Sequence, residues 1–157
     1  MPVLTKAQQK QMEERETMVA SLPVQLLRDA ADYITEHGWT RGVYERETGE
    51  VCTEGALLKA GSIGLNHRLG FAWGDELCGA KKEAELRLLR SLAKRGELDT
   101  CFKDMGNTDS PYAEVPMIWL VEHGNIAPEA AVCAWNDSMK RSQEDVLLAL
   151  KCAIEDG

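Results

Sequence analysis

The chain contains no run of about 18 apolar residues, so no helix is expected to cross a membrane. It has no CxxC pair and no HxxxH or HExxH pair, and only three histidines in all. A compact metal-ligand spacing is therefore missing, and no metal site is expected. The glycine-rich stretches GSIG and GFAWG match neither GxGxxG nor GxxxxGK(S/T), the spacings that cradle phosphate, so no nucleotide or other cofactor is expected. Basic residues are outnumbered, 18 Lys and Arg against 26 Asp and Glu, for a net charge of -8. That balance argues against nucleic-acid binding, which needs basic surface to neutralise phosphates, and against docking on anionic membranes. The opening MPVLTKAQQKQMEERE has no apolar signal-like region. The five cysteines, Cys52, Cys78, Cys101, Cys133 and Cys152, are odd in number and scattered. Together these features point to reduced thiols in a cytoplasmic chain.

What is present is mostly helical patterning. From Leu22 to Leu58 the chain reads as an amphipathic helix, a glycine stop, a turn-rich ribbon and a second helix start. Leu26, Leu27, Ala30, Ala31, Tyr33 and Ile34 recur at helical spacing, with Gln25, Arg28, Asp29, Asp32 and Glu36 on the other face. Ser21 is placed as N-cap and Pro23 in the first turn, where its missing N–H has no partner to lose. Gly38 fits a left-handed helix ending, with Trp39 folding back on Ile34 and His37 in the last turn, where a positive charge suits the helix dipole. Val43, Tyr44 and Val51 around Glu47-Thr48-Gly49-Glu50 predict a short β-hairpin near 42–52 that leans on the helices. Thr53 is expected to cap a helix through Ala56, Leu57 and Leu58.

Elsewhere, residues 5–20 are good helix formers with a thin apolar stripe of Ala7, Met12, Met18 and Val19. They predict a solvated leading arm, with a homodimer contact as the functional alternative. Residues 61–80 and 97–111 read as loops, with Phe71 and Trp73 as anchors and His67 on the surface. Lys81–Arg95 is the clearest helix, with Glu83 and Arg87 paired four apart and its charges on a solvated face. Pro116 and Pro128 each open a short helix, and Ser142 caps the last one with Asp145 completing a capping box. Trp135, Asn136 and Asp137 form the corner between the last two helices. The predicted fold is mainly α: a compact bundle of five to seven helices with one hairpin. Residues 1–20 form a leading arm and 21–157 a single domain.

EHGWTRGVY, VCTEGALLKA and AVCAWNDS before a terminal EDVLLAL helix resemble DUF6197, a family of small actinobacterial and actinophage proteins of unknown function. The resemblance rests on His37, Gly38, Trp39, Gly42, Tyr44, Cys52, Gly55, Ala56, Leu57, Ala134, Trp135, Asn136 and Asp137, and runs from Leu22 to Ile154. It implies a shared fold and a phage or actinobacterial setting, and carries no activity with it.

Two functions follow as expectations. The first is a non-enzymatic cytoplasmic binding or regulatory protein, in a phage setting an accessory protein. It would hold a protein partner or small ligand in a groove near the hairpin and the Trp135 corner. Trp39, Tyr44, Trp135, Asn136 and Asp137 are the binding candidates, with Trp73 as a further aromatic anchor. The alternative is a cysteine enzyme: Cys52 at a helix start as nucleophile, His37 as base, and Asn136 or Asp137 orienting it. Carboxylate chemistry by Glu54 with Asp137 is a weaker third reading.

Overall fold

Thr5 opens the longest helix, α1 (Lys6–His37), through a reciprocal capping box with Gln8. The Gln8 N–H donates to the Thr5 hydroxyl at 3.1 Å, and the Thr5 N–H donates to the Gln8 side chain at 2.9 Å. The leading arm and the first core helix are therefore one helix, with Pro23 in its interior rather than at a first turn behind a Ser21 cap. Ser21 instead donates its hydroxyl back to the Met18 carbonyl. An interior proline costs a helix about 3 kcal/mol. Leu22, Leu26, Leu27, Ala30 and Ile34 are buried just around and beyond it. Each large side chain among them contributes roughly 1.5–3 kcal/mol on burial, which outweighs the proline.

The computed structural model describes residues 3–62, 75–98, 114–138 and 140–156. Among these, α1 is followed by α2 (Thr53–Lys59), α3 (Asp75–Lys94), α4 (Met117–Glu122), α5 (Pro128–Asn136) and α6 (Gln143–Glu155). The mainly helical expectation holds. The expectations for His67, Phe71, Trp73 and Cys101 lie outside the described residues, as does most of the two expected loops. No described helix is long and apolar enough to cross a membrane.

Helices α1, α3 and α6 pack on one another, while α2 closes on α1, and α5 on α2 and α3. Leu88, Leu89 and Leu92 of α3 meet the α1 face and Val146, Ala149 and Leu150 of α6 in one continuous core. Pro116 and Pro128 sit where expected, at the entrances of α4 and α5. Ser142 and Asp145 form the expected capping box of α6. Helix α3 begins earlier than its apolar stripe suggests, and Arg87 turns to the Ala153 and Ile154 carbonyls at the end of α6. Those carbonyls have no partner within their own helix and carry its negative dipole end.

The predicted β-hairpin is not formed. Among the described residues the segment makes only isolated bridges, Trp39 with Val51 and Glu45 with Val51. Val51 takes part in both: its N–H donates to the Gly38 carbonyl at 3.1 Å and its carbonyl accepts from the Thr40 N–H at 3.0 Å. Gly42 and Gly49 have positive φ and turn the chain away from an extended ladder. The Gly42 N–H goes to Asp137, the C-cap of α5, at 2.9 Å, not across a ribbon. A two-stranded ribbon is marginal alone, and here the segment is held by scattered bonds, Arg46 N–H to the Glu50 carbonyl and Cys52 N–H to the Tyr44 carbonyl, with no continuous ladder.

Candidate functional site

The helix stop, the α2 start and the α5 corner converge on one side chain. Asn136 is wholly buried in the last turn of α5. Its Oδ1 accepts from Trp39 Nε1 at 2.7 Å, from the Thr53 N–H at 2.9 Å and from Thr53 Oγ1 at 2.6 Å. Its Nδ2 donates to the Thr40 carbonyl at 3.1 Å and to Asp137 Oδ1 at 3.0 Å. The amide thus uses both its acceptor and its two donors. An N-terminal backbone donor of α2 is satisfied by a side chain far away in sequence, so Thr53 is the first helical residue and not the cap.

The cap of α2 is Cys52, whose Sγ accepts from the Gly55 N–H at 3.3 Å. Gly55 is required by contact: a Cβ there would stand 2.0 Å from the Tyr44 carbonyl oxygen, which accepts from the Cys52 N–H at 3.1 Å. Gly38 has positive φ as expected, but its ψ of 167° is extended rather than left-handed helical. Trp39 is directed accordingly towards Asn136, and its own N–H donates to Gln143 Oε1 at 3.2 Å.

Trp135 is buried beside Asn136, and its Nε1 meets no acceptor among the described residues, contrary to the usual pairing of a buried indole. Arg141 lies over its ring at 5.1 Å and donates to the Trp135 and Glu97 carbonyls at 3.3 and 3.1 Å. Tyr44 is half exposed and donates its hydroxyl to Glu129 Oε1 at 2.9 Å. That hydrogen bond, together with the Cys133 and Glu129 charges, holds the phenol above its ordinary range. Asp137 is exposed.

His37 stacks on Tyr33, ring centroids 4.1 Å apart, in the last turn of α1 and close to Glu36. Burial pushes the Cys52 thiol up, more than the Gly55 and Glu54 backbone donors pull it down. A nucleophilic cysteine needs the opposite shift. The sequence-predicted residues Trp39, Cys52, Asn136 and Asp137 are thus brought together, while His37 and Tyr44 turn outward.

Directly beside this knot lies a buried charge cluster. Lys81 Nζ is 2.7 Å from Glu54 Oε2, 3.1 Å from Glu85 Oε2 and 4.0 Å from Glu129 Oε2. Glu54 is wholly buried, and Lys81 and Glu85 nearly so. The expected solvated face of α3 is therefore interrupted: two of its charges turn inward to meet α2. Two carboxyls share one ammonium, so one carboxyl keeps its proton at neutral pH. Burial, then the hydrogen-bonding Glu85 carboxyl, pushes Glu54 up to about 9. Burial pulls Lys81 down, but its hydrogen bonds and charge contacts with Glu54 and Glu85 hold it above its ordinary value. Burial and the nearby Glu54 charge push Cys133 up to about 12. Sequence patterning had only Glu54 in view, paired with Asp137. The Lys81–Glu85 spacing looks like an ordinary surface pair, and only packing reveals its burial. Among the described residues no group of three His, Cys, Asp or Glu could hold a metal ion.

On the outer side of the knot is an open depression of about 350 Å³ lined by Trp39, Thr40, Arg41, Arg46 and Glu50. Arg41 lies over the Trp39 ring at 5.0 Å and hydrogen-bonds the Arg141 carbonyl. Arg46 Nε donates to Thr40 Oγ1. Sequence reasoning expected a groove near the hairpin and the Trp135 corner; of its binding candidates Trp39 lines this depression, while Tyr44, Trp135, Asn136 and Asp137 do not, and both arginines went unnoticed.

No curated protein and no solved structure matches the chain. The model of a family of unknown function, DUF6197, matches residues 18–156, a span that takes in the Asn136 knot, the charge cluster and the depression, and the chain belongs to that family.

Proposed function

We propose that the chain is a small non-enzymatic binding protein that holds an anionic small ligand in the depression beside Trp39. The observation that carries this reading is the pairing of Arg41 and Arg46 with an indole in one recess of about 350 Å³, on a chain whose net charge is -8. Two guanidiniums against one carboxylate make the lining net positive on an acidic chain, which favours an anion at this recess. The guanidinium fork matches carboxylate or phosphate oxygens, and the indole offers an apolar wall to the rest of the ligand. Arg46 is steadied at Nε by Thr40, which leaves its terminal nitrogens to a ligand. Glu50 is the acid of the lining, and the Thr48 hydroxyl donates to it. In the phage or actinobacterial cytoplasm that the family resemblance implies, such a protein acts as an accessory or regulatory component.

The test is thermal unfolding and tryptophan emission of the full chain with inorganic phosphate or succinate, against chloride at equal ionic strength. A saturable rise in Tm with either probe, lost in Arg46→Gln, supports the reading. The absence of any shift beyond that of chloride, or a shift that survives Arg46→Gln, overturns it.

A further inference from the structure

The depression beside Trp39 holds charges of both signs that do not neutralise each other. Arg41 and Arg46 bring two guanidiniums to it, and Glu50 one carboxylate. The backbone sets two of these residues side by side. The Arg46 N–H donates to the Glu50 carbonyl at 2.8 Å, and the Gly49 N–H returns to the Arg46 carbonyl at 2.9 Å. Opposite charges on so tight a turn gain by meeting, yet these side chains part. Arg46 Nε donates to Thr40 Oγ1, and Glu50 Oε2 accepts from the Thr48 hydroxyl. Among the described residues neither Arg46 nor Glu50 forms an ion pair. Each is steadied on a neighbouring hydroxyl and keeps capacity for a further partner, a donor fork on Arg46 and an acceptor oxygen on Glu50.

We propose, on the anion-binding reading of this recess, that its ligand is an acidic amino acid: a small molecule with two carboxylates and one ammonium. Two guanidiniums and one carboxylate in the lining are the charge complement of that set. The terminal nitrogens of Arg46 offer the fork for one carboxylate. Arg41 lies over the Trp39 ring and reaches the Arg141 carbonyl, so it draws the second carboxylate by charge. Glu50 Oε1 accepts from the ammonium in a charge-assisted hydrogen bond. Trp39 is the apolar wall for the methylenes between these groups. A recess of about 350 Å³ stands at the small end of ligand pockets, which run to about 300–1,000 Å³, and suits a molecule of this size. A plain dicarboxylate leaves Glu50 facing a like charge, and a simple amine leaves the guanidiniums unanswered.

Isothermal titration of the full chain at neutral pH and constant ionic strength tests this, with L-aspartate against succinate and L-glutamate against glutarate. Each pair differs by the ammonium alone. The wild type binds at least one amino acid roughly fivefold or more tighter than its dicarboxylate. N-acetyl-L-aspartate, which keeps both carboxylates and loses the positive charge, binds no tighter than succinate. Glu50→Gln erases the preference and leaves the dicarboxylate as tight or tighter, which also reports that the recess is intact. Arg46→Gln weakens both members of each pair. Amino acids bound no tighter than their dicarboxylates, N-acetyl-L-aspartate equal to L-aspartate, or a preference that survives Glu50→Gln overturns the assignment and leaves the anion site standing. Binding of neither class overturns both.

Discussion

Trp39 Nε1 stands 2.7 Å from Asn136 Oδ1, across 97 residues of chain. That bond joins the end of α1 to the end of α5, and the same oxygen holds the start of α2. Removing the amide leaves an indole N–H, a backbone N–H, a hydroxyl and the Thr40 carbonyl facing one another without a partner. Each buried polar group left unsatisfied costs about 1–3 kcal/mol. Asn136→Ala is expected to lose about 3–5 kcal/mol in urea unfolding, after partial relaxation. A loss below about 1 kcal/mol shows that the knot does not hold these elements together.

Gly55 tolerates no side chain, because the Tyr44 carbonyl occupies the place of its Cβ. That carbonyl cannot retreat without giving up the Cys52 N–H. Gly55→Ala is expected to destabilise by about 2–3 kcal/mol or more, even though alanine favours helix, because overpacking outweighs a propensity gain of at most about 1 kcal/mol. A variant as stable as wild type contradicts the packing of this loop on α2.

Glu54 ties stability to pH. Its carboxyl is raised on folding, from an ordinary value of 4.5 to about 9. The folded chain binds this proton more tightly than the unfolded chain, so the contribution is complete below about pH 4.5 and is lost as pH rises towards about 9. The slope for one proton is about 1.4 kcal/mol per pH unit. Glu54→Gln keeps an amide where the protonated acid stood, facing Lys81 and Glu85. The variant is expected to gain on the wild type steadily from pH 5 to pH 8.5 in Tm. Parallel stability curves for the two chains sink this account.

The thiols should separate by burial. Cys78 is exposed, Cys133 and Cys152 are partly buried, and Cys52 is buried and capping α2. With an aromatic disulfide reagent at neutral pH, Cys78 is expected to react fast and Cys52 only on unfolding, since the thiolate is the reacting species. Rapid labelling at Cys52, read by peptide mass, reopens the cysteine-enzyme alternative.

Much of the helical framework is local and was legible from local patterns. The apolar spacing of Leu26, Leu27, Ala30 and Ile34, the prolines at the entrances of α4 and α5, and the Ser142–Asp145 box each act within one or two turns. Thr5 and Gln8 also spell a capping box, a signal present in the sequence and passed over. Pro23 misled because a proline usually marks a helix start, and only the burial beyond it carries the helix through.

By itself, the sequence determined which segments coil, where most of them begin, and that the surface is acidic, since these follow from spacing and composition. Only the tertiary structure decided that Gly42 gives its N–H to Asp137 at the end of α5, that Lys81 and Glu85 turn inward to Glu54, and that Arg41 and Arg46 meet at Trp39. The first two depend on groups tens of residues apart, Gly42 with Asp137 and Lys81 with Glu54, and the third on the path of the loop that carries both arginines. Their energies come from desolvation and hydrogen-bond satisfaction, which exist only once the helices are packed.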